Sequence, residues 1–199
     1  METKIKPIDL VEAACSSDDQ LNEYAKRIKS SINTLGESFS KGIVEGVKKV
    51  IKDKAYPPDR KLRALKLVSC GLVTKNPIFL KQVQKDLCKV FRDLAMHRKN
   101  ESGENRGMDI FGTLSLTSEE NKKNSAMFLK VLLYYIEQWA NEFRLDPKGN
   151  ATELNNLFRK LKKENVQFPQ LERKTYTGEI IKRAQSTCLL YTSPSPRDS

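Results

Sequence analysis

The stretch DRKLRALKLVSCGLVT, residues 59–74, carries apolar side chains over a broad arc of a helix. They follow helical spacing and are too many for one narrow stripe: Leu62, Ala64, Leu65, Leu67, Val68, Leu72 and Val73. A helix that is apolar around most of its circumference is buried among other elements, whereas a surface helix is apolar on one side only. We therefore predict a central helix over about residues 59–74.

Segments on both sides of this helix show the same helical spacing, and none alternates with period two. The other predicted helices span about residues 8–15, 19–32, 37–53, 76–98, 118–144 and 152–164. The polar residues 99–117 predict the longest loop, and GEIIKRAQ at 178–185 predicts the start of a further helix. Short connections between so many helices favour an all-α, right-handed superhelix of seven to eight helices, of the α-solenoid type, over a four-helix bundle.

Several helix ends carry recognisable capping residues. Residues 16–18 (SSD) supply side-chain oxygens that can cap the second helix, and residues 76–77 (NP) place a cap before a proline at the first helical position. Asn165 follows the last of the predicted helices and tolerates the left-handed backbone that a helix C-terminus favours. These signals predict where the second, fifth and seventh helices begin or end.

The chain has 199 residues and a formal net charge of +11. That length fits one well-buried domain with a short appendage, and 38% apolar with 31% charged residues is typical of a folded, soluble protein. A strongly basic surface favours anionic partners, which include phospholipid headgroups, nucleic acid and acidic peptides. The charge alone does not choose among them.

The cysteines are isolated and show no CxxC spacing: Cys15, Cys70, Cys88 and Cys188. Three of them lie in apolar runs, as expected for buried thiols in a reducing compartment. The N-terminal residues lack the apolar core of a secretory signal, and no run is long enough to span a bilayer. We therefore predict a cytoplasmic protein.

No pattern of catalytic residues stands out. The single histidine, His97, lies at a basic helix end with no cysteine or carboxylate cluster around it, so a solvated surface residue is the simpler interpretation. Phosphate-binding glycine loops, HExxH and GxSxG are absent from the sequence. We predict a binding module that is not an enzyme and has no cofactor, catalytic residue or metal site.

Basic residues concentrate on the third helix and at the start of the fourth. The candidate anionic lipid-binding residues are Lys41, Lys48, Lys49, Lys52, Arg60 and Lys61. Antiparallel packing would bring them together around the intervening turn, where each contributes about 1 kcal/mol to attraction by an anionic membrane. A solvated helix face explains the same residues, and both interpretations stay open. Nucleic acid is the weaker option because Tyr56 is the one aromatic residue interleaved with them.

Several stretches, taken in order, resemble one family. They are VEAACS at 11–16, RALKLVSCGLVTKN at 63–76, FLKQV at 79–83, FLKVLLYYIEQWANEF at 128–143 and FRKLKKENVQFP at 158–169. Together they resemble the VHS domain of the ENTH/VHS superfamily, which is found in endosomal and Golgi sorting adaptors. The resemblance implies a right-handed superhelix of eight helices that acts in vesicular protein transport, peripheral on endosome or Golgi membrane.

The resemblance also implies ligands: phosphoinositide membranes, sorting-signal peptides of cargo, and ubiquitin. Members that bind acidic-dileucine peptides use a groove between two late helices, and basic residues in the matching elements are candidate peptide-binding residues: Lys130, Arg159, Lys160 and Lys163. Ubiquitin-binding members carry a tryptophan at the start of the second helix. Residues 18–23 read DDQLNE here, so the ubiquitin site of the family is not matched.

Two alternatives remain beside the adaptor interpretation. The domain that recognises the phosphorylated tail of RNA polymerase II shares this helical superfold, and a basic groove would suit phosphoserine. A helical scaffold without a ligand is the other alternative. The ending FRKLKKENVQFP favours the VHS interpretation, and the sequence does not indicate an oligomeric state.

The predicted domain division places a VHS-like domain at residues 1–170 and the start of a linker or downstream region at 171–187. The last segment, CLLYTSPSPRDS at 188–199, differs from everything before it. Reverse translation of CLLYTSPSPRD gives DNA that resembles a transposase-based sequencing adapter. We therefore expect residues 188–199 to be an artefact, and the natural sequence to be interrupted near Thr187.

Overall fold

The computed structural model describes residues 6–101 and 119–169, with side chains described throughout except at 97–101 and 119–123. Its helices are α1 (Pro7–Ala14), α2 (Asp18–Thr34), α3 (Gly36–Lys52), α4 (Pro58–Leu72), α5 (Pro77–Glu101), α6 (Glu119–Glu142) and α7 (Glu153–Lys163). In these ranges there is no strand, only an isolated bridge between Leu145 and Ala151. The predicted all-α class is confirmed, and each predicted helix in these ranges is present within three residues of its expected bounds.

The capping predictions are confirmed at all three helix ends. The Ser17 hydroxyl accepts a hydrogen bond from the Gln20 amide at 3.2 Å, at the start of α2. Asn76 Oδ1 accepts from the amides of Ile78 (2.9 Å) and Phe79 (3.1 Å), at the start of α5. Asn165 has a φ of +58°, in the left-handed region that ends α7.

The predicted loop at 99–117 starts later than expected, because α5 continues to Glu101. The apolar spacing ends a few residues before α5 does, so the spacing predicts a helix that is too short. The rest of that loop, the helix start predicted at 178–185, and the boundaries at residues 170, 187 and 188 lie outside the described residues.

The helices stack in two layers. In the odd-numbered layer α1 packs on α3, α3 on α5 and α5 on α7, and in the even-numbered layer α2 packs on α4 and α4 on α6. α1 and α3 run in the same direction, as the rising pairs show: Pro7 lies beside Gly42, and Val11 lies beside Gly46. The α4–α5 turn meets the end of α2, where Asn76 Nδ2 donates to the Ile32 carbonyl, and the end of the α6–α7 turn meets the first half of α5. The start of α4 meets the end of α1, where Arg63 Nη1 donates to the Cys15 carbonyl. We infer that the α2–α3, α4–α5 and α6–α7 turns lie at one edge and the α1–α2 and α3–α4 turns at the other.

Close packing of α1 on α3 depends on a glycine. A Cβ atom added at Gly42 would lie 2.8 Å from the Pro7 Cβ, closer than two such atoms approach in proteins. The missing side chain lets the start of α1 lie directly on α3, which fixes the position of the residues further along α1.

The prediction that residues 59–74 form the central helix agrees with the packing of α4. This helix contacts α2, α3 and α6, and its buried apolar residues include Leu65, Leu67 and Val68. A second concentration of buried apolar side chains lies between α5 and α6, where Trp139 packs against Phe91. Buried apolar side chains therefore lie both around α4 and between α5 and α6.

Replacing Asn76 with alanine is expected to lower the free energy of unfolding by about 1–2 kcal/mol. The change removes the cap of α5 and also the bond from Asn76 Nδ2 to the Ile32 carbonyl, which is 3.2 Å long and ties the α4–α5 turn to the end of α2. Urea unfolding followed by circular dichroism measures the loss. Asn76→Asp is the matched control, since it keeps the capping oxygen and should lose less; an alanine variant as stable as the wild type would contradict this account.

Candidate anion-binding edge

A shallow, open depression lies at the C-terminal end of α3. Its lining residues are Glu45, Lys48, Lys49, Lys52 and Asp53. Lys49 and Lys52 are exposed and Lys48 is half-buried, and we call these three residues the α3 lysines. Cations in the last turn of a helix are favoured by its dipole, so the local structure accounts for basic residues here even without a ligand.

Lys49 already has a partner at this depression. Its Nζ lies 2.6 Å from Glu12 Oε1 of α1. The lysine side chain is 57% exposed and the glutamate 28%, yet the contacting oxygen itself is shielded from solvent. The hydrogen bond from Lys49 to Glu12, together with the negative charge of that carboxylate, raises the pKa of Lys49 above its ordinary value. Lys48 and Lys52 are thus the α3 lysines whose charge is more available to a ligand.

Arg60, a predicted lipid-binding residue, mainly joins α4 to its neighbours. Its Nη2 donates to the Glu12 backbone carbonyl at 3.1 Å. The guanidinium carbon lies 4.0 Å from the centre of the Tyr56 ring, in cation–π geometry. These two contacts engage the guanidinium group within the protein, so Arg60 is less available to a ligand than Lys48 or Lys52.

Two further basic residues of α4, Arg63 and Lys66, contact the α1–α2 turn. Arg63 Nη1 donates to the carbonyls of Cys15 and Ser16 at 3.3 Å each, which satisfies acceptors at the end of α1. Arg63 Nε and Lys66 Nζ both reach Asp18 Oδ1, at 3.3 and 3.6 Å. These side chains hold α4 against the start of α2.

The structure places two other predicted lipid-binding residues away from the depression. Lys61 is fully buried, at 0% exposure, so its ammonium group does not face an external ligand. Lys41 lies about 16 Å before Lys52 along α3 and pairs with Glu45 at 3.8 Å. Of the six candidates, only the α3 lysines lie together at the end of α3.

The predicted peptide-binding residues lie toward the same edge. Lys130, Arg159, Lys160 and Lys163 are all exposed. The start of α7 lies beside the first half of α5, where the Glu153 amide donates to Gln84 Oε1 at 2.9 Å. The start of α5 in turn lies beside the start of α3, where Gln82 Nε2 donates to Glu37 Oε1 at 3.0 Å. We infer that α7 runs in the same direction as α3, so its C-terminal lysines point to the edge where α3 ends. Only α5 separates the two helices, which puts their ends about 16–20 Å apart at ordinary helix spacings. Lys130 lies about 18 Å before the end of α6, level with the end of α7. The α3 lysines and these four residues therefore lie toward one edge, which we call the basic edge.

Glu12 is the residue at this edge that the sequence did not single out. An acidic residue near the C-terminus of a helix is disfavoured by the helix dipole, and that was the one available signal. Its partner Lys49 is 37 positions away in the chain, so only the packing of α1 on α3 reveals the pair.

The described side chains also bear on metal binding and on thiol reactivity. Within them, no group of three or more histidine, cysteine, aspartate or glutamate residues could hold a metal ion. Burial raises the pKa of Cys15 and of Cys88 to about 12, which keeps both thiols protonated and weakly nucleophilic at neutral pH. Of the helices described, none has the length and apolar character needed to cross a membrane. His97 lies outside the residues whose side chains are described.

No protein-family model, curated protein or solved structure matches the chain. The VHS family, the right-handed superhelix and the roles that they imply therefore stay predictions.

Proposed function

We propose that this chain is a VHS-like adaptor domain whose basic edge docks on phosphoinositide membranes in endosomal or Golgi protein transport. The observation that carries the proposal is that the ends of α3 and α7 present exposed basic residues at one edge. Several cations on one edge can face an anionic surface together, and each contributes about 1 kcal/mol when close to it.

The opposite edge differs in character. The exposed large apolar side chains of the described residues are Leu35, Val73, Ile78 and Leu145. They lie in or next to the α2–α3, α4–α5 and α6–α7 turns, which all face away from the basic edge. Docking through the basic edge would therefore be electrostatic, without insertion of large apolar side chains, and should be weakened strongly by salt.

A cargo peptide is the second ligand that the VHS resemblance implies, and we place it at the α7 end of the same edge. Exposed basic residues follow one another there, and Lys162 Nζ lies 4.5 Å from the centre of the Phe158 ring. An acidic sorting signal would find several cations beside an aromatic ring at this end. Membrane and peptide would then occupy neighbouring parts of one edge.

Cosedimentation with vesicles tests the proposal. The wild-type protein should pellet with phosphatidylcholine vesicles that contain a phosphatidylinositol phosphate, should stay in solution with phosphatidylcholine alone, and should be released as the salt concentration rises. Equal pelleting with both vesicles would refute the lipid function. A fluorescent phosphoserine-repeat peptide provides the comparison: binding to it without binding to vesicles would favour the polymerase-tail reader, and binding to neither would favour the scaffold.

A further inference from the structure

We propose that Glu12 is a built-in competitor for the ligand of the α3 lysines and makes the basic edge select phosphomonoester headgroups over monoanionic lipids. The inference rests on the proposed membrane function and adds a selectivity device to it. Glu12 contacts the Lys49 ammonium group in the free protein, so an anionic ligand must compete with a carboxylate for this third α3 lysine.

Glu12 is held in place by contacts on either side of it. Its backbone carbonyl accepts from Arg60 Nη2 at 3.1 Å, which fixes the end of α1 against α4. The preceding residue, Val11, is fully buried and packs closely over Gly46 of α3. The carboxylate therefore projects from a fixed piece of backbone, and its shielded Oε1 meets Lys49 Nζ at 2.6 Å.

Glu45, an acidic residue that lines the depression, is arranged differently from Glu12. Glu45 makes a long contact of 3.8 Å with Lys41, and both side chains are about half exposed. Glu45 therefore contributes negative charge near the α3 lysines without occupying any of them in the structure. This difference supplies a matched control, because Glu45→Gln also removes one negative charge beside the α3 lysines.

The chemistry of the competition depends on ligand charge. A carboxylate and the phosphodiester of an ordinary anionic lipid each carry one negative charge, so exchanging one for the other at Lys49 brings little gain. A phosphomonoester carries about −1.5 to −2 at neutral pH and offers three acceptor oxygens. Lys49 and Lys52 are three residues apart and Lys48 and Lys52 four apart, so they lie side by side on α3 and can share such a group.

The test compares two kinds of vesicle at equal surface charge, one with phosphatidylserine and one with a phosphatidylinositol phosphate. Glu12→Gln should tighten binding to phosphatidylserine vesicles about fivefold, the contribution of one basic side chain near an anionic surface. Binding to the phosphatidylinositol phosphate vesicles should tighten less. The ratio of the affinities for phosphatidylinositol phosphate and phosphatidylserine vesicles should therefore fall. Glu45→Gln should leave that preference as it is in the wild type.

A second substitution separates the specific pair from general charge. In a Lys49→Gln background, Glu12→Gln should change vesicle binding no more than Glu45→Gln does. The inference would be overturned if Glu12→Gln still tightened vesicle binding in the Lys49→Gln background, or if Glu12→Gln and Glu45→Gln tightened it equally. Either result would leave the proposed membrane function standing. If the wild type binds neither vesicle, the proposed function fails and the inference with it. Circular dichroism checks that the variants are folded. Glu12→Gln is expected to fold normally because it keeps the backbone carbonyl that accepts from Arg60.

Discussion

Replacing Trp139 with alanine is expected to lower the free energy of unfolding by about 3–5 kcal/mol. Trp139 is 2% exposed and lies between the layers of helices. Its ring stacks on Tyr135 at a centroid distance of 5.1 Å and packs at a tilt against Phe91 at 5.8 Å. Alanine would leave a cavity bordered by both rings, and α6 would lose the ring contact with Phe91 of α5.

Thermal unfolding followed by circular dichroism measures this loss, with the midpoint expected to fall by roughly 6–20 °C. Fluorescence is unsuitable because the chain has a single tryptophan. Trp139→Phe is the matched control: an aromatic ring remains between the same neighbours, so the loss should be clearly smaller. A Trp139→Ala midpoint within about 2 °C of the wild type would contradict the placement of this residue in the core.

The helices and their ends were predictable because apolar spacing and capping residues act over a few neighbouring positions of the chain. The caps at Ser17, Asn76 and Asn165 each act within a few residues, and the structure has them where the sequence predicts. The central position of α4 was also predictable, since its apolar arc can be satisfied only by partners on several sides. The order of packing within the two layers depends on contacts between distant residues and does not appear in any local pattern.

The candidate site was predictable only in part. Lys52 and Lys66 look alike in the sequence, but one is exposed at the end of α3 and the other is nearly buried against Asp18. Helix periodicity separates an apolar from a polar face but does not show which polar residues meet another helix. For this reason the sequence pattern groups Arg60 and Lys61 with the α3 lysines and does not reveal Glu12.

The two edges of the helical layers differ in the side chains that they expose. Basic residues gather where α3 and α7 end, and the large exposed apolar residues of the described chain lie at the opposite turns. The helix dipole explains a preference for lysine at those ends but does not require so many of them. An anionic membrane facing the basic edge would use the excess, and variants of the α3 lysines can test that directly.

The most direct measurement is the vesicle affinity of Lys48→Gln/Lys52→Gln compared with Lys81→Gln/Lys85→Gln. Both pairs are four residues apart and remove the same charge, but Lys81 and Lys85 lie on the first half of α5, away from the basic edge. On phosphatidylinositol phosphate vesicles, the α3 variant should bind about 30-fold more weakly than the wild type, the combined contribution of two basic side chains. The α5 variant should bind nearly as well as the wild type. Equal losses in the two variants, or no loss in the α3 variant, would contradict membrane docking through the basic edge.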